Sequence, residues 1–230
     1  MTPLLLLPGM MCDGRLFEPQ IARFGGEREV QVPRLAPEQT VEALAGRMLA
    51  EAPARFALAG LSMGGIVAME MLRQAPDRVD RIALLDTNHR AELPAVAARR
   101  GPQMEAATAG QLDRVMREEM KPNYLADGPN RRAILDICMD MALDLGPEVF
   151  LAQSQALMTR PDQTETLAGA NLPALVLCGE TDTLCPVSRH EEMAGLISGA
   201  ELVIVPGAGH LPTLEQPEAT NGALVDWLSA

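Results

Sequence analysis

Short runs of consecutive apolar residues alternate along this chain with longer segments whose apolar residues recur at helical spacing. Such runs, closed by Gly, Pro or Asp, are typical of strands that are buried on both faces. They are Leu4–Leu7, Phe56–Ala59, Val79–Leu85, Ala174–Cys178 and Leu202–Val205, with Arg28–Val32 as a shorter candidate. The helical pattern covers Val41–Ala52, Ile66–Met71, Arg189–Ile197 and Pro217–Leu228. This alternation predicts a doubly wound α/β fold, in which helices cover both faces of a mostly parallel sheet.

The segment 89–167 interrupts this alternation. It contains no convincing strand, but its apolar residues recur at helical spacing over 112–120 and 134–145. We therefore predict a helical cap, residues 89–167, inserted into an α/β core made of residues 1–88 and 168–230. Six of the 14 methionines lie in this segment. They either pack the cap onto the sheet or form a flexible apolar pocket wall, which the soft thioether side chain suits.

The charge balance narrows the range of partners. The chain has 19 basic and 31 acidic residues and a formal net charge of −12. A field of this sign repels phosphates, so we expect a small-molecule substrate and neither nucleic acid nor an anionic membrane. The pair Arg99–Arg100 is too short to reverse that field, and we interpret it as part of a solvated helix face. The apolar runs are far shorter than the ~20 residues of a membrane span.

The cysteines indicate the redox compartment. Cys12, Cys138, Cys178 and Cys185 lie far apart and form no Cys-x-x-Cys pair. This spacing fits neither a zinc site nor a disulfide framework. We therefore predict reduced thiols in a cytoplasmic protein.

One glycine-rich motif joins a predicted strand to a predicted helix. The segment Gly60–Gly64 places Ser62 between two glycines in the Gly-x-Ser-x-Gly pattern of a nucleophile elbow. The glycines are expected because a Cβ on either side of the strained turn would collide with neighbouring backbone. The serine also lies at a helix N-terminus, where negative charge is favoured. The motif predicts that Ser62 is a nucleophile.

Two further strand ends supply a candidate acid and a candidate base. Asp182 follows the predicted strand Ala174–Cys178, with Glu180 as a possible substitute, and His210 lies in a glycine-rich loop after the last strand. Of the other two histidines, His89 precedes the acid in the chain and His190 is predicted on the surface of a helix. The order Ser, Asp, His, each after its own strand, matches a triad in which the acid orients the imidazole.

With these motifs the chain resembles the α/β-hydrolase fold superfamily, in its compact single-domain group with a helical cap. The resemblance covers nearly the whole chain and rests on Leu4–Met11, Gly60–Gly65, Gly179–Pro186 and Gly209–His210, with Glu215 and Pro217 beyond. It implies that Ser62, Asp182 and His210 are the nucleophile, the acid and the base. Asp86, at the end of another predicted strand, occupies a position where some relatives carry the acid, and is the alternative to Asp182.

The resemblance also implies an oxyanion hole made of two backbone N–H groups, those of Met10 and Met63. Pro8 stands where the family usually has histidine, but Met10 keeps the N–H that the hole requires. Neither a metal nor an organic cofactor is implied.

These roles imply a serine hydrolase that cleaves a small, largely uncharged carboxylic ester through an acyl-enzyme on Ser62. A lactonase or enol-lactonase, a thioesterase and a C–C bond hydrolase would use the same three residues, so these alternatives stay open. An alternative of another class is a non-catalytic ligand receptor, because a fold does not fix a function. The sequence leaves the substrate and the oligomeric state open.

Overall fold

A single sheet of six parallel strands organises the chain, whose computed structural model describes residues 1–35 and 37–230. The strands are β1 (Leu4–Leu7), β2 (Val30–Gln31), β3 (Phe56–Leu61), β4 (Val79–Leu85), β5 (Ala174–Gly179) and β6 (Glu201–Val205). Their order in the sheet is β2-β1-β3-β4-β5-β6, and each pairing is parallel. This confirms the predicted sheet, although β2 is shorter than the predicted strand Arg28–Val32.

Helices lie on both faces of this sheet. They are α1 (Glu18–Phe24), α2 (Val41–Glu51), α3 (Met63–Gln74), α4 (Pro94–Ala106), α5 (Leu112–Arg114), α6 (Arg131–Met158), α7 (Thr164–Ala168), α8 (Val187–Leu196), α9 (Pro212–Glu215) and α10 (Pro217–Ser229). Alternate residues of β1 belong to two different hydrophobic clusters, Leu5 and Leu7 to one and Leu4 and Leu6 to the other. The continuous apolar run of β1 therefore serves two buried faces, as the doubly wound fold requires.

The two clusters assign the helices to their faces. The first cluster contains Leu44 of α2, Met69 of α3 and Met193 of α8. The second contains Phe24 of α1 and Trp227 of α10, and Trp227 is 2% exposed. Each face is thus closed by helices that alternate with the strands along the chain.

Residues 86–173, all of which the structure describes, contain helices and short helical turns but no strand. The longest helix, α6, is interrupted at Gly146, which has φ +81° and precedes Pro147. Val115, Met116 and Phe150 from this segment share one hydrophobic cluster with Met10 and Met63. The segment therefore packs over the strand ends that carry these two methionines. The limits of the helical cap at 89 and 167 stay a prediction.

None of the described helices is long and apolar enough to cross a membrane.

Candidate active site

Ser62 lies on a strained turn between β3 and α3. Its backbone has φ 56° and ψ −116°, a conformation that costs energy in any residue with a side chain. A Cβ built on Gly60 would lie 2.3 Å from the carbonyl oxygen of Gly64. One built on Gly64 would lie 2.0 Å from the carbonyl oxygen of Leu7. Both glycines are therefore required by close backbone contacts, as the sequence motif predicts.

Backbone strain is concentrated at one edge of the sheet. Among the described residues, the non-glycine residues with positive φ are Met11 (55°), Ser62 (56°) and Asp86 (42°). They follow β1, β3 and β4, whose carboxyl ends are adjacent in a parallel sheet. Strained residues of this kind persist where the surrounding structure holds them, and they cluster at functional sites.

The three residues predicted as nucleophile, base and acid meet at this edge. Nε2 of His210 lies 2.9 Å from Oγ of Ser62, and Nδ1 of His210 lies 2.8 Å from Oδ2 of Asp182. The other oxygen of Asp182 accepts the N–H groups of Leu184 and Cys185 at 2.8 and 3.1 Å. With Nδ1–H donating to the carboxylate, Nε2 is left as the acceptor of the serine hydroxyl proton.

The charge state of Asp182 follows from these contacts. Burial raises the pKa of this carboxyl. The neighbouring His210 charge and the hydrogen bonds from His210 and from two backbone N–H groups lower the pKa by a larger amount. The net pKa is below the ordinary value, so the group is ionised. An ionised carboxylate here favours the imidazolium that forms when His210 takes up a proton.

Asp86, the alternative acid, is fully buried beside Asp182. Its Oδ1 accepts the N–H of Gly179 at 2.9 Å. Burial raises the pKa of Asp86 well above its usual range, and the nearby Asp182 charge adds to this effect. In the described structure no hydrogen bond joins Asp86 or Glu180 to His210. The geometry thus favours Asp182 over both alternatives as the partner of the imidazole.

The two expected oxyanion donors lie on either side of Ser62. Met10 is in the turn after β1, and Met63 is the first residue of α3. Within residues 1–35 and 37–230, neither N–H donates to a protein acceptor. The neighbouring N–H of Met11 donates to Oε1 of Gln153 at 2.9 Å, so α6 holds the turn in place.

His190 is a correction to the sequence prediction, which placed it on a helix surface. It is buried, and its Nε2 accepts the N–H of Thr87 at 3.1 Å. Thr87 in turn donates its hydroxyl to the carbonyl of Ser62 at 2.7 Å. Burial lowers the pKa of His190 to about 4, so the ring is neutral and able to accept that N–H. His190 thus supports the turn of Ser62 through Thr87. A single histidine in an amphipathic helix gives no sequence signal for such a contact.

Glu215, which the sequence motif includes without a role, holds the loop that carries His210. Its two carboxylate oxygens accept the N–H groups of Ala126, Gly209 and Leu211 at 2.8, 3.0 and 2.9 Å. Each bond goes to a charged acceptor, which makes it stronger than a neutral one. Glu215 therefore fixes the backbone on both sides of the imidazole.

The only metal-compatible group in the described residues comprises Asp182, Cys185 and His210, whose ligand atoms lie within 4.8 Å of one another. A metal would need a thiolate, but burial and the nearby carboxylates raise the pKa of Cys185 well above its usual value. The Asp182 oxygens are also occupied by hydrogen bonds. The group therefore fits a hydrogen-bonded triad better than a metal site.

Comparison with known proteins gives a consistent result. A sequence model of the alpha/beta hydrolase family matches residues 4–223. The chain is 27% identical to a pimeloyl-[acyl-carrier protein] methyl ester esterase from Aromatoleum aromaticum over 93% of this chain and 87% of that protein. Two longer curated relatives also match, and the chain spans 58% and 47% of their lengths.

Solved structures agree with this assignment. A thermophilic esterase from Thermogutta terrifontis, solved with malate bound, superposes with a TM-score of 0.92 at 30% identity over 100% of this chain and 90% of that one. The enol-lactonase from Burkholderia xenovorans superposes with a TM-score of 0.88 at 24% identity over 100% and 92%, which shows a shared fold. Together with the match over residues 4–223, these similarities show that the chain belongs to the alpha/beta hydrolase family.

Proposed function

We propose that this protein is a serine carboxylesterase that hydrolyses a small ester through an acyl-enzyme on Ser62. The observation that carries the proposal is the continuous hydrogen-bonded path from Ser62 Oγ to His210 Nε2 (2.9 Å) and from His210 Nδ1 to Asp182 (2.8 Å). A hydroxyl joined to an imidazole, which is joined to an ionised carboxylate, is the arrangement that activates a serine.

The reaction proceeds in two halves. Ser62 Oγ attacks the ester carbonyl while His210 Nε2 accepts the hydroxyl proton, and the imidazolium then protonates the leaving alcohol. The N–H groups of Met10 and Met63 stabilise the tetrahedral oxyanion, with an effect of ~3 kcal/mol for each donor in comparable sites. Water, deprotonated by His210, then attacks the acyl group and releases the acid and free Ser62. Asp182 stays ionised throughout and holds the imidazole.

The relatives support an ester as the substrate. The Aromatoleum aromaticum protein is an esterase of a methyl ester, and the Thermogutta terrifontis protein is an esterase. The enol-lactonase of the same fold makes a lactone the second candidate, since a lactone is an internal ester open to the same attack. A thioesterase, a C–C bond hydrolase and a ligand receptor remain alternatives without a specific observation in their favour.

The test compares Ser62→Ala with Ser188→Ala, a change at an exposed serine outside the site. We expect Ser62→Ala to lower kcat for p-nitrophenyl acetate by about 10⁴-fold or more and to abolish labelling by a fluorophosphonate. Ser188→Ala should behave as the wild type. Persistence of hydrolysis or of labelling in Ser62→Ala would refute the proposal, and tight ligand binding without turnover would favour a receptor.

We also propose a cytoplasmic location and a small-molecule partner. The four cysteines are unpaired, three of them buried, which is typical of a reducing compartment. The net charge of −12 disfavours binding to nucleic acid or to an anionic membrane.

A further inference from the structure

Two arginines and one glutamate form a buried charged cluster at the edge of the site. One oxygen of Glu92 accepts Nε and Nη2 of Arg100 at 2.9 and 2.6 Å, and the other lies 3.0 Å from Nη2 of Arg160. The side chains of Glu92, Arg100 and Arg160 are 4%, 12% and 8% exposed. One carboxylate is thus shared by two guanidinium groups, which leaves one positive charge uncompensated. The interpretation of Arg100 as a solvated residue is wrong, because its partners converge only in the folded chain.

The cluster lies beside the residues that we assign to catalysis. Nη1 of Arg100 lies 3.8 Å from Sδ of Met10, whose N–H we assign to the oxyanion hole. Arg160 is joined to Arg100 through the shared Glu92 carboxylate, and its Nε donates to the carbonyl of Arg90 at 2.9 Å. The extra positive charge therefore lies beside the turn that carries the Met10 N–H.

No protein group among the described residues neutralises this charge. Nη1 of Arg100 has only the Met10 thioether as a partner, and a thioether is a weak acceptor. Nη1 of Arg160 donates to no protein acceptor in residues 1–35 and 37–230, while its Nε donates to the carbonyl of Arg90. The nearby Glu192 already pairs with Arg90 and Arg189. Because an unpaired buried charge is costly, a site of this kind favours an anionic ligand.

We propose that Arg100 and Arg160 bind a carboxylate carried by the substrate, so that the ester hydrolysed at Ser62 is a carboxylate-bearing ester. A planar carboxylate matches the N–H groups that the two guanidiniums leave unused. The net charge of −12 favours an uncharged substrate, but the local charge next to Met10 is positive. This inference rests on the proposed function and names its substrate class.

The experiment measures the ratio of kcat/KM for monomethyl glutarate to kcat/KM for dimethyl glutarate. The variants are Arg100→Gln and, as the matched control, Arg99→Gln, which removes the same charge from an exposed position of the same helix. Loss of hydrogen bonds to a charged group lowers this ratio in Arg100→Gln between about 10-fold and 100-fold. The ratio in Arg99→Gln should equal that of the wild type. An equal loss on both esters would show a structural role and overturn the proposal.

A second substrate pair locates the carboxylate. Acetoxyacetate carries a carboxylate on the alcohol side of the scissile bond, and its methyl ester lacks that charge. The substrate pair whose ratio of kcat/KM values falls in Arg100→Gln therefore identifies the side on which the carboxylate is bound. Should Arg100→Gln not fold, Arg100→Lys keeps the charge but loses the planar fork, and a lowered ratio is again expected. Inhibition of p-nitrophenyl acetate hydrolysis by glutarate gives an independent reading: the wild type should be inhibited more strongly than the Arg100 variant.

Failure of this inference is distinguishable from failure of the proposed function. If the wild type hydrolyses neutral esters through Ser62 but shows the same ratio as the Arg100 variants for both substrate pairs, the carboxylate site is refuted and the esterase stands. If Ser62→Ala keeps full activity, the proposed function fails, and calorimetric binding of glutarate to the wild type but not to Arg100→Gln still decides the inference.

Discussion

Asp86 and Asp182 are two buried carboxyl groups on neighbouring strand ends with opposite charge states. Asp182 accepts three hydrogen bonds and stays ionised, whereas burial and the Asp182 charge hold the pKa of Asp86 high. Two carboxylates in one desolvated place cannot both be charged without a large cost, so the pair keeps a proton on Asp86. A protonated Asp86 contributes a hydrogen-bond donor beside Asp182 without competing for His210.

Replacement of Asp86 by Asn should therefore change how stability depends on pH. Wild-type folding takes up a proton at Asp86 between its ordinary pKa of ~4 and its raised folded value, so stability falls as pH rises, by at most about 1.4 kcal/mol per pH unit. Asn keeps the oxygen for Gly179 and cannot ionise. We expect the unfolding free energy of Asp86→Asn, relative to the wild type, to increase from about pH 5 to about pH 8 in urea titrations. Asp140→Asn, at an exposed position, is the control.

Parallel pH profiles for Asp86→Asn and the wild type would contradict a protonated Asp86. They would mean that the carboxyl has the same charge in the folded and the unfolded chain.

Single residues differ in how far the sequence predicts them. Ser62 is predictable because the crowding of its turn requires glycines two positions away on either side, which is a local signal. Asp182 and His210 are predictable because each follows its own strand and parallel strand ends meet at one edge. Arg100 and His190 are not predictable from local spacing. Arg160, which shares Glu92 with Arg100, and Thr87, which contacts His190, come from distant parts of the chain, and Glu92 lies before the helix that carries Arg100.

The loops after β5 and β6 are packed against each other at backbone distance. A Cβ on Gly179 would lie 1.9 Å from the carbonyl oxygen of Gly209, and one on Gly209 would lie 2.6 Å from the N atom of Ala126. The backbone N–H of His210 also donates to the carbonyl of Tyr124 at 2.6 Å. The acid loop, the imidazole loop and the segment around Tyr124 therefore behave as one packed unit.

Removal of the Glu215 carboxylate should loosen this unit. We expect Glu215→Ala to lower kcat for p-nitrophenyl acetate by about 10-fold to 100-fold with little change in KM, because the three N–H groups that hold the His210 loop lose their charged acceptor. Glu215→Gln should recover part of kcat, since it keeps one oxygen acceptor. The rate of fluorophosphonate labelling of Ser62 should fall in parallel with kcat. A loss of folded protein would lower the number of sites that can be labelled but would leave the labelling rate of each remaining site unchanged.

Glu218→Ala, a change of the same kind at an exposed residue in the first turn of α10, is the matched control. A change in KM alone for Glu215→Ala, or an equal fall in kcat for Glu218→Ala, would show that Glu215 does not position the base.

Element boundaries were predictable where burial is continuous. The strand Val79–Leu85 has the predicted limits because its apolar run is packed along its whole length after Arg81. The edge strand β2 is only two residues long. Its ends were not predictable, because the mixture of polar, charged and apolar residues in Arg28–Val32 gives no burial signal that marks them. A kink at Gly110 accompanies the short helical turns between α4 and α6, and Gly146 interrupts α6 itself; apolar spacing reveals neither glycine kink.

At the scale of the whole molecule, all four thiols are protonated. Burial raises the pKa of Cys12 and of Cys178 to about 12, and it raises the pKa of Cys138 and Cys185 as well. Since the thiolate is the reactive form, only about one buried thiol in 10⁴ is ionised near pH 8 when its pKa is 12.

We therefore expect the native protein to react very slowly with Ellman's reagent and all four cysteines to react at once in guanidinium chloride. The rate of reaction in intermediate denaturant should follow global unfolding as measured by circular dichroism. Fast reaction of Cys12, Cys138 or Cys178 in the native protein would contradict their burial and would identify a local opening. Trp227, a buried residue of α10, provides a fluorescence signal for the same transition.

The helical segment between β4 and β5 leaves and rejoins the sheet at adjacent strands, which has a consequence for engineering substrate range. An insertion with neighbouring ends invites replacement by the corresponding segment of a relative. Two hydrogen bonds limit that exchange, because Gln153 supports the turn at Met11 and the carbonyl of Tyr124 supports the backbone of His210. We expect a chimera that replaces the segment but preserves both acceptors to keep Ser62 and His210 aligned. A chimera that lacks these acceptors should have an altered pocket but a misaligned Ser62 and His210.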